Sequence, residues 1–147
     1  MGKVQILAVL TMDGCLSSEL YDKAHQDLCL DRCGLDEIRK KAFYRVTPDY
    51  SISMLHEWRK DCTNIRYLAE ATPDTADYIN GLLRMHAVDE IILYTVPFIS
   101  GSGRHFFKSA LPEQHWTLSS LKSYPNGVCR IIYILSLIHI SEPTRPY

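Results

Sequence analysis

Residues 3–11 form a nearly continuous apolar run, KVQILAVLT, and this run restricts the fold more than any other part of the chain. A strand with so few polar positions is covered on both faces, as central strands of parallel sheets are. Asp13-Gly14 follows the run with residues typical of a tight turn. We therefore expect a buried central strand that ends at this turn.

Helix and strand patterns alternate through the first half of the chain. We predict a helix that begins at Ser17 or Ser18 and a second one from about Leu35. Alternating apolar and polar residues predict short strands at residues 50–54 and 65–69.

The second half continues in the same way. Thr72-Pro73 predicts a helix start with Thr72 as the N-cap. Residues 90–99 predict a buried strand, and residues 116–121 and 127–134 predict a hairpin. Strands interleaved with helices and closed by an antiparallel pair predict an α/β fold, a three-layer sandwich with a mixed central sheet.

Composition narrows the classes of partner. The 147 residues predict one domain, and 16 Lys and Arg against 17 Asp and Glu leave a net charge of −1. Without a basic excess we expect neither nucleic acid nor a membrane surface as a partner. No apolar run approaches the roughly 20 residues that cross a bilayer, and the N-terminal run lacks a signal-peptide cleavage site, so we expect a cytoplasmic protein.

The cysteines and histidines predict no metal or disulfide chemistry. The five cysteines are scattered without a Cys-x-x-Cys pair, and the six histidines form no His-x-x-x-His pair. Reduced thiols and the absence of a metal site are therefore expected.

The end of the chain has a distinct character. From residue 135 to about residue 146 the sequence, which begins LSLIHISEPTR, resembles a translated sequencing-library adapter. We expect the domain to span residues 1–134 and residues 135–147 to be an artefactual tail. The alternative is that residues 131–140 form one long strand that runs into a polar tail.

Three segments hold residues suited to binding or catalysis. Thr11 and Asp13 place a hydroxyl and a carboxylate where the first strand ends, a position at which open α/β sheets gather ligands. Glu70 lies between a strand end and a helix start, and Gly101-Ser102-Gly103 would let backbone approach a ligand closely. Taken singly, each segment is more typical of an ordinary turn, a capped helix or a crossover loop than of a binding site.

The order of these segments resembles the dihydrofolate-reductase-like family, and within it the reductase domain of riboflavin biosynthesis. The family's Ser-Leu-Asp-Gly corresponds to residues 11–14, and its Glu-Gly-Gly-Pro to residues 70–73. Its Leu-Val-Asp-Glu, followed by Pro-x-x-x-Gly-x-Gly, corresponds to residues 87–90 and 97–103. The resemblance covers residues 3–20 and 65–134.

This resemblance implies a cytoplasmic, bacterial-type reductase that uses NADPH on a pyrimidine- or pteridine-like compound, as 5-amino-6-(5-phosphoribosylamino)uracil reductases do. It is compatible with a homodimer. It implies that Thr11, Asp13 and Glu70 contact the substrate, with Asp13 as the catalytic acid. Cofactor contacts would come from Thr72, Gly101, Ser102 and Gly103.

The chain departs from the family at two places. Its middle is short and lacks the family's Gly-x-x-Thr segment, and Ala71-Thr72 replaces the two glycines of Glu-Gly-Gly-Pro. These departures favour an alternative: a non-catalytic relative that has lost cofactor binding and serves as a ligand- or partner-binding module.

Overall fold

The computed structural model describes residues 3–12, 14–16, 34–42, 44–61, 65–72, 74–97, 99, 104–106, 111, 114–125 and 127–135. The strands in these ranges are β1 (Lys3–Leu10), β2 (Cys15–Leu16), β3 (Tyr44–Arg45), β4 (Arg66–Glu70), β5 (Glu90–Thr95), β6 (Arg104–His105), β7 (Trp116–Ser123) and β8 (Cys129–Leu135). The helices are α1 (Leu35–Lys41), α2 (Ile52–Asp61) and α3 (Ala76–Arg84). The predicted helix after Ser17 lies outside the described residues.

Six strands form one mixed sheet in the order β3-β4-β1-β5-β8-β7. Strand β1 pairs in parallel with β4 on one side and with β5 on the other, while β8 is antiparallel to both β5 and β7. Every residue of β1 from Val4 to Leu10 is buried, as the apolar run predicts. The mixed sheet and the closing hairpin are confirmed.

Apolar side chains cover both faces of this sheet. On one face, Ile6 and Ala69 pack with Ile79 and Leu82 of α3 and with Leu55 of α2. On the other face, buried residues of β1, β4 and β5 pack with Ile38 and Ala42 at α1. The chain is therefore a three-layer sandwich, as predicted.

The prediction of a strand at residues 50–54 is wrong, because α2 begins there. The backbone N–H of Leu55 donates to the carbonyl of Ser51 at 3.1 Å, a helical bond. Ile52 and Leu55, three residues apart, face the core, whereas Ser53 and Met54 are exposed. Ile52 packs against α3, its Cδ1 lying 3.3 Å from where a Cβ on Gly81 would stand. Packing against α3 thus selects the helical spacing over the alternation seen in the sequence.

A tyrosine pair joins α3 to the turn before α2. The Tyr78 hydroxyl donates to the carbonyl of Tyr50 at 2.7 Å. Burial, with a smaller effect of the Tyr50 ring hydroxyl, raises the pKa of Tyr78. The bond holds both helices on the same face of the sheet.

Strand β8 extends through Leu135, whose backbone N–H donates to the carbonyl of Asp89 at 3.1 Å. Residues 136–147, most of the predicted artefactual tail, lie outside the described residues. Of the helices that the structure describes, none combines the length and the apolar character that a bilayer crossing needs.

Candidate functional site

The parallel strands β1, β4 and β5 end at one edge of the sheet, which we call the carboxyl edge. Ala71 N–H donates to the carbonyl of Leu7 at 2.7 Å, and Val96 N–H donates to the carbonyl of Leu10 at 2.9 Å. The segments that leave β4 and β5 therefore start beside β1. Ligands of open α/β sheets gather at such an edge.

Thr11 fixes the turn that follows β1. Its side chain is 3% exposed, and its Oγ1 accepts the backbone N–H of Cys15 at 3.1 Å. Gly14 N–H donates to the Thr11 carbonyl at 3.0 Å, and Gly14 has a φ of 77°, which glycine adopts without strain. The Thr11 hydroxyl therefore points into the protein. Asp13, the predicted acid of this turn, lies outside the described residues.

A short antiparallel bridge joins this turn to the segment that follows β5. Cys15 of β2 pairs with His105 of β6, and Leu16 pairs with Arg104. Phe106 N–H adds a bond to the carbonyl of Gly14 at 3.2 Å. Gly101, Ser102 and Gly103 are outside the described residues, but they directly precede Arg104 in the chain. Sequence patterns could not reveal this bridge, because two-residue strands carry no periodicity.

Asn80 ties the same segment to α3. It is fully buried, and its Nδ2 donates to the carbonyls of Ala76 and Phe106, each at 2.8 Å. The side chain therefore holds the end of β6 against the helix. The sequence alone does not identify Asn80 as important, because its only signal is a polar residue beside the apolar stripe of α3.

Glu70, at the end of β4, is held by two arginines. Arg39 of α1 donates through Nη2 to Glu70 Oε1, and Arg45 Nη1 of β3 lies 3.8 Å from Glu70 Oε2. The Glu70 side chain is 22% exposed, so it remains accessible at the edge. Glu70 was predicted from the sequence, but its arginine partners, which come from other elements, were not.

The segment after Glu70 does not begin a helix at Thr72, as predicted from the sequence, but forms a turn first. Helix α3 begins at Ala76 with Thr75 as N-cap, so the prediction of Thr72 as N-cap is wrong. Thr72 and Thr75 bind each other instead: Thr72 N–H donates to Thr75 Oγ1 at 2.8 Å, and Thr75 N–H donates to Thr72 Oγ1 at 3.2 Å. This reciprocal pair forms its own turn, which delays the helix by one turn.

Ala71 is directed into the core. Its side chain is 1% exposed and belongs to the apolar layer under α3. The Cβ that replaces a family glycine here therefore points away from the carboxyl edge.

The structure thus brings Thr11, Glu70 and Thr72 to the ends of neighbouring strands, and it anchors the Arg104 segment beside the first of them. In the part of the chain that is described, no group of three His, Cys, Asp or Glu side chains has the arrangement of a metal site. Within the described residues, the edge offers the Glu70 carboxylate held by guanidinium groups, which suits a ligand with N–H donors.

Comparisons with known proteins establish the fold. No family model and no curated protein sequence matches the chain. A putative riboflavin biosynthesis protein from Shewanella sp. PV-4 superposes with a TM-score of 0.60 at 12% identity, over 91% of this chain and 99% of that one. RibD of Acinetobacter baumannii superposes with a TM-score of 0.58 at 11% identity, over 92% of this chain and 58% of that one. The dihydrofolate-reductase-like fold predicted from the sequence is confirmed.

Proposed function

We propose that this chain, which has the fold of the reductase domain of riboflavin-biosynthesis proteins, is an NADPH-dependent reductase of a pyrimidine- or pteridine-like compound. One observation carries the proposal. The β2–β6 bridge and the bond from Phe106 to Gly14 join the turn after β1 to the segment after β5, at the edge where Glu70 ends β4. The turn after β1, the end of β4 and the segment that follows β5 therefore lie at one edge of the sheet.

Glu70 is the substrate-binding residue in this proposal. Pyrimidine and pteridine rings carry amide and amino N–H groups, and a carboxylate accepts hydrogen bonds from such donors. Arg39 orients Glu70 from α1, so it is a positioning residue. Thr11 holds the turn that carries Asp13, and Asp13 remains the proposed proton donor.

The turn from Thr72 to Thr75 leads into α3, and we call it the helix start. Free backbone N–H groups at such a place bind anions, but those of Thr72 and Thr75 are already bonded to threonine hydroxyls. Asp74 and Asp77 add negative charge at this end of the helix. We therefore assign cofactor binding to Gly101, Ser102 and Gly103, as the family resemblance implies, and not to Thr72.

A second candidate function follows from the same observation. A helix start closed by its own hydroxyls is expected of a reductase-fold module that binds a heterocycle and has lost its cofactor. A reductase is expected to bind NADPH and to oxidise it when an aminouracil is supplied. The non-catalytic module is expected to do neither.

Thr72→Gly tests the closed helix start. Removal of the hydroxyl removes one of the two acceptors of the Thr75 N–H, the other being the Thr72 carbonyl at 3.1 Å, and we expect NADPH to bind about tenfold more tightly, or about 1.4 kcal/mol. Ala71→Gly is the matched control: its Cβ lies in the core, so we expect no tighter binding and a stability loss of about 1 kcal/mol. Nicotinamide fluorescence measures the affinities. Equal affinities for Thr72→Gly and the parent chain would exclude the helix start as the barrier to the cofactor.

A further inference from the structure

A cavity of about 190 Å³ lies between α1 and the sheet. We call it the α1 cavity, and the side chains that matter for its chemistry are Gln5, Glu37, Lys41, Arg66, Glu90 and Arg130. Apolar Ile38, Ile92 and Ile132 complete part of its wall. The proposed function uses none of these residues.

The α1 cavity shares no lining residue with the described part of the carboxyl edge. Gln5 pairs with Glu90 at the first residue of β5, and Arg66 is the first residue of β4. Arg130 pairs with Tyr94, one residue before the end of β5. The cavity therefore runs along the face of the sheet that α1 covers.

Arg130 is the main cation of this cavity. Its Nε is buried and has no hydrogen-bond partner within the described residues. Its Nη1 lies 3.1 Å from the position that a Cβ of residue 34 would occupy, so the guanidinium packs closely against Gly34. Gly34 has a φ of 84°, which also favours glycine there. Buried polar atoms are almost always hydrogen-bonded, so a guanidinium N–H without a partner among the described residues is suited to a further acceptor.

Gln5 is a second polar group that faces the same space. It is 4% exposed and lines the cavity. Gln5 and Arg130 come from different strands, so two polar side chains of separate origin line one cavity.

We propose that the α1 cavity binds a small molecule with a carboxylate or phosphate group. A guanidinium presents parallel N–H donors that match the oxygens of such groups, and Lys41 and Arg66 add positive charge at the same cavity. Glu37 and Glu90 oppose part of this charge and favour a ligand that also carries an N–H or O–H donor. A cavity of about 150 Å³ accommodates benzene, so the α1 cavity has room for a ligand of similar or slightly larger size.

The experiment is a titration of the ¹⁵N-arginine-labelled full chain with inorganic phosphate, and separately with acetate, at constant ionic strength. We expect the Nε–Hε NMR signal of Arg130 to shift and to saturate, with a Kd of about 1 mM or lower for at least one of the two anions. Saturation with phosphate alone assigns a phosphate ester, and saturation with acetate alone assigns a carboxylate. A signal that stays fixed with both anions, or that moves equally with chloride, would overturn the proposal.

Charge variants test the same site with effects of opposite sign. We expect Lys41→Gln to weaken binding of the anion at least threefold, because it removes an attractive charge. We expect Glu90→Gln to tighten binding of the anion at least threefold, because it removes a repulsive charge. Lys40→Gln, next to Lys41 but outside the cavity, is the control and should leave the Kd unchanged. Equal responses of Lys41→Gln and Lys40→Gln would contradict the site. None of these variants changes a residue that we assign to NADPH or substrate binding, so this proposal and the proposed function can fail separately.

Discussion

Asn80→Leu is expected to lower the free energy of unfolding by about 2–4 kcal/mol. The substitution preserves much of the side-chain volume but removes both donated hydrogen bonds, which leaves the buried carbonyl of Phe106 without this donor. It also releases the end of β6 from α3, so the segment that carries Gly101 and Gly103 should lose its anchor. Urea unfolding of the two chains measures the difference.

Asp77→Asn, an exposed change on the same helix, is the control, and its expected effect is below about 1 kcal/mol. An Asn80→Leu variant as stable as this control would show that the bond to Phe106 contributes little, and the anchoring of the β6 segment would have to be explained otherwise.

Glu70→Gln is expected to lower kcat/KM for NADPH-dependent reduction by about 100-fold, or about 2.7 kcal/mol of transition-state stabilisation. The amide has nearly the shape of the carboxylate, but it loses the charge, the ion pair with Arg39 and one acceptor oxygen. Steady-state oxidation of NADPH with an aminouracil substrate provides the measurement.

The matched control for Glu70 is Arg45→Gln. Arg45 is 61% exposed and its Nη1 lies 3.8 Å from the carboxylate, so its loss should change kcat/KM less than threefold. If both variants retained full activity, Glu70 would have no role in substrate binding and the carboxyl edge would lose its main recognition group.

The sheet was predictable because its central strand has a strong pattern. The apolar run of β1 and the hairpin of β7 and β8 carry their own local signals, and all three strands form as predicted. Residues 50–54 were mispredicted because two serines mimic strand alternation, while the decisive contact of Ile52 with α3 joins distant parts of the chain. Strand β3, with two residues, has no local signal at all.

The candidate site was predictable in its residues but not in its contacts. Glu70 and Thr11 were identified from the family motifs, whereas the bond from Arg39 to Glu70 spans 31 positions and has no sequence signature. Ala71 and Thr72 replace glycines side by side, yet one side chain enters the core and the other closes a turn. The direction of each side chain depends on the course of the backbone after β4, which the sequence does not reveal.

A carboxyl edge that belongs to a reductase must bind the nicotinamide cofactor, and we claim that it does. The test is a titration of the full chain with NADPH, followed by nicotinamide fluorescence. We expect saturable binding with a Kd of about 10–100 μM, because the closed turn before α3 lowers the affinity while the bridge between β2 and β6 assembles the rest of the edge. Absence of saturable binding at about 1 mM NADPH would contradict the claim and would leave the non-catalytic module as the function of this fold.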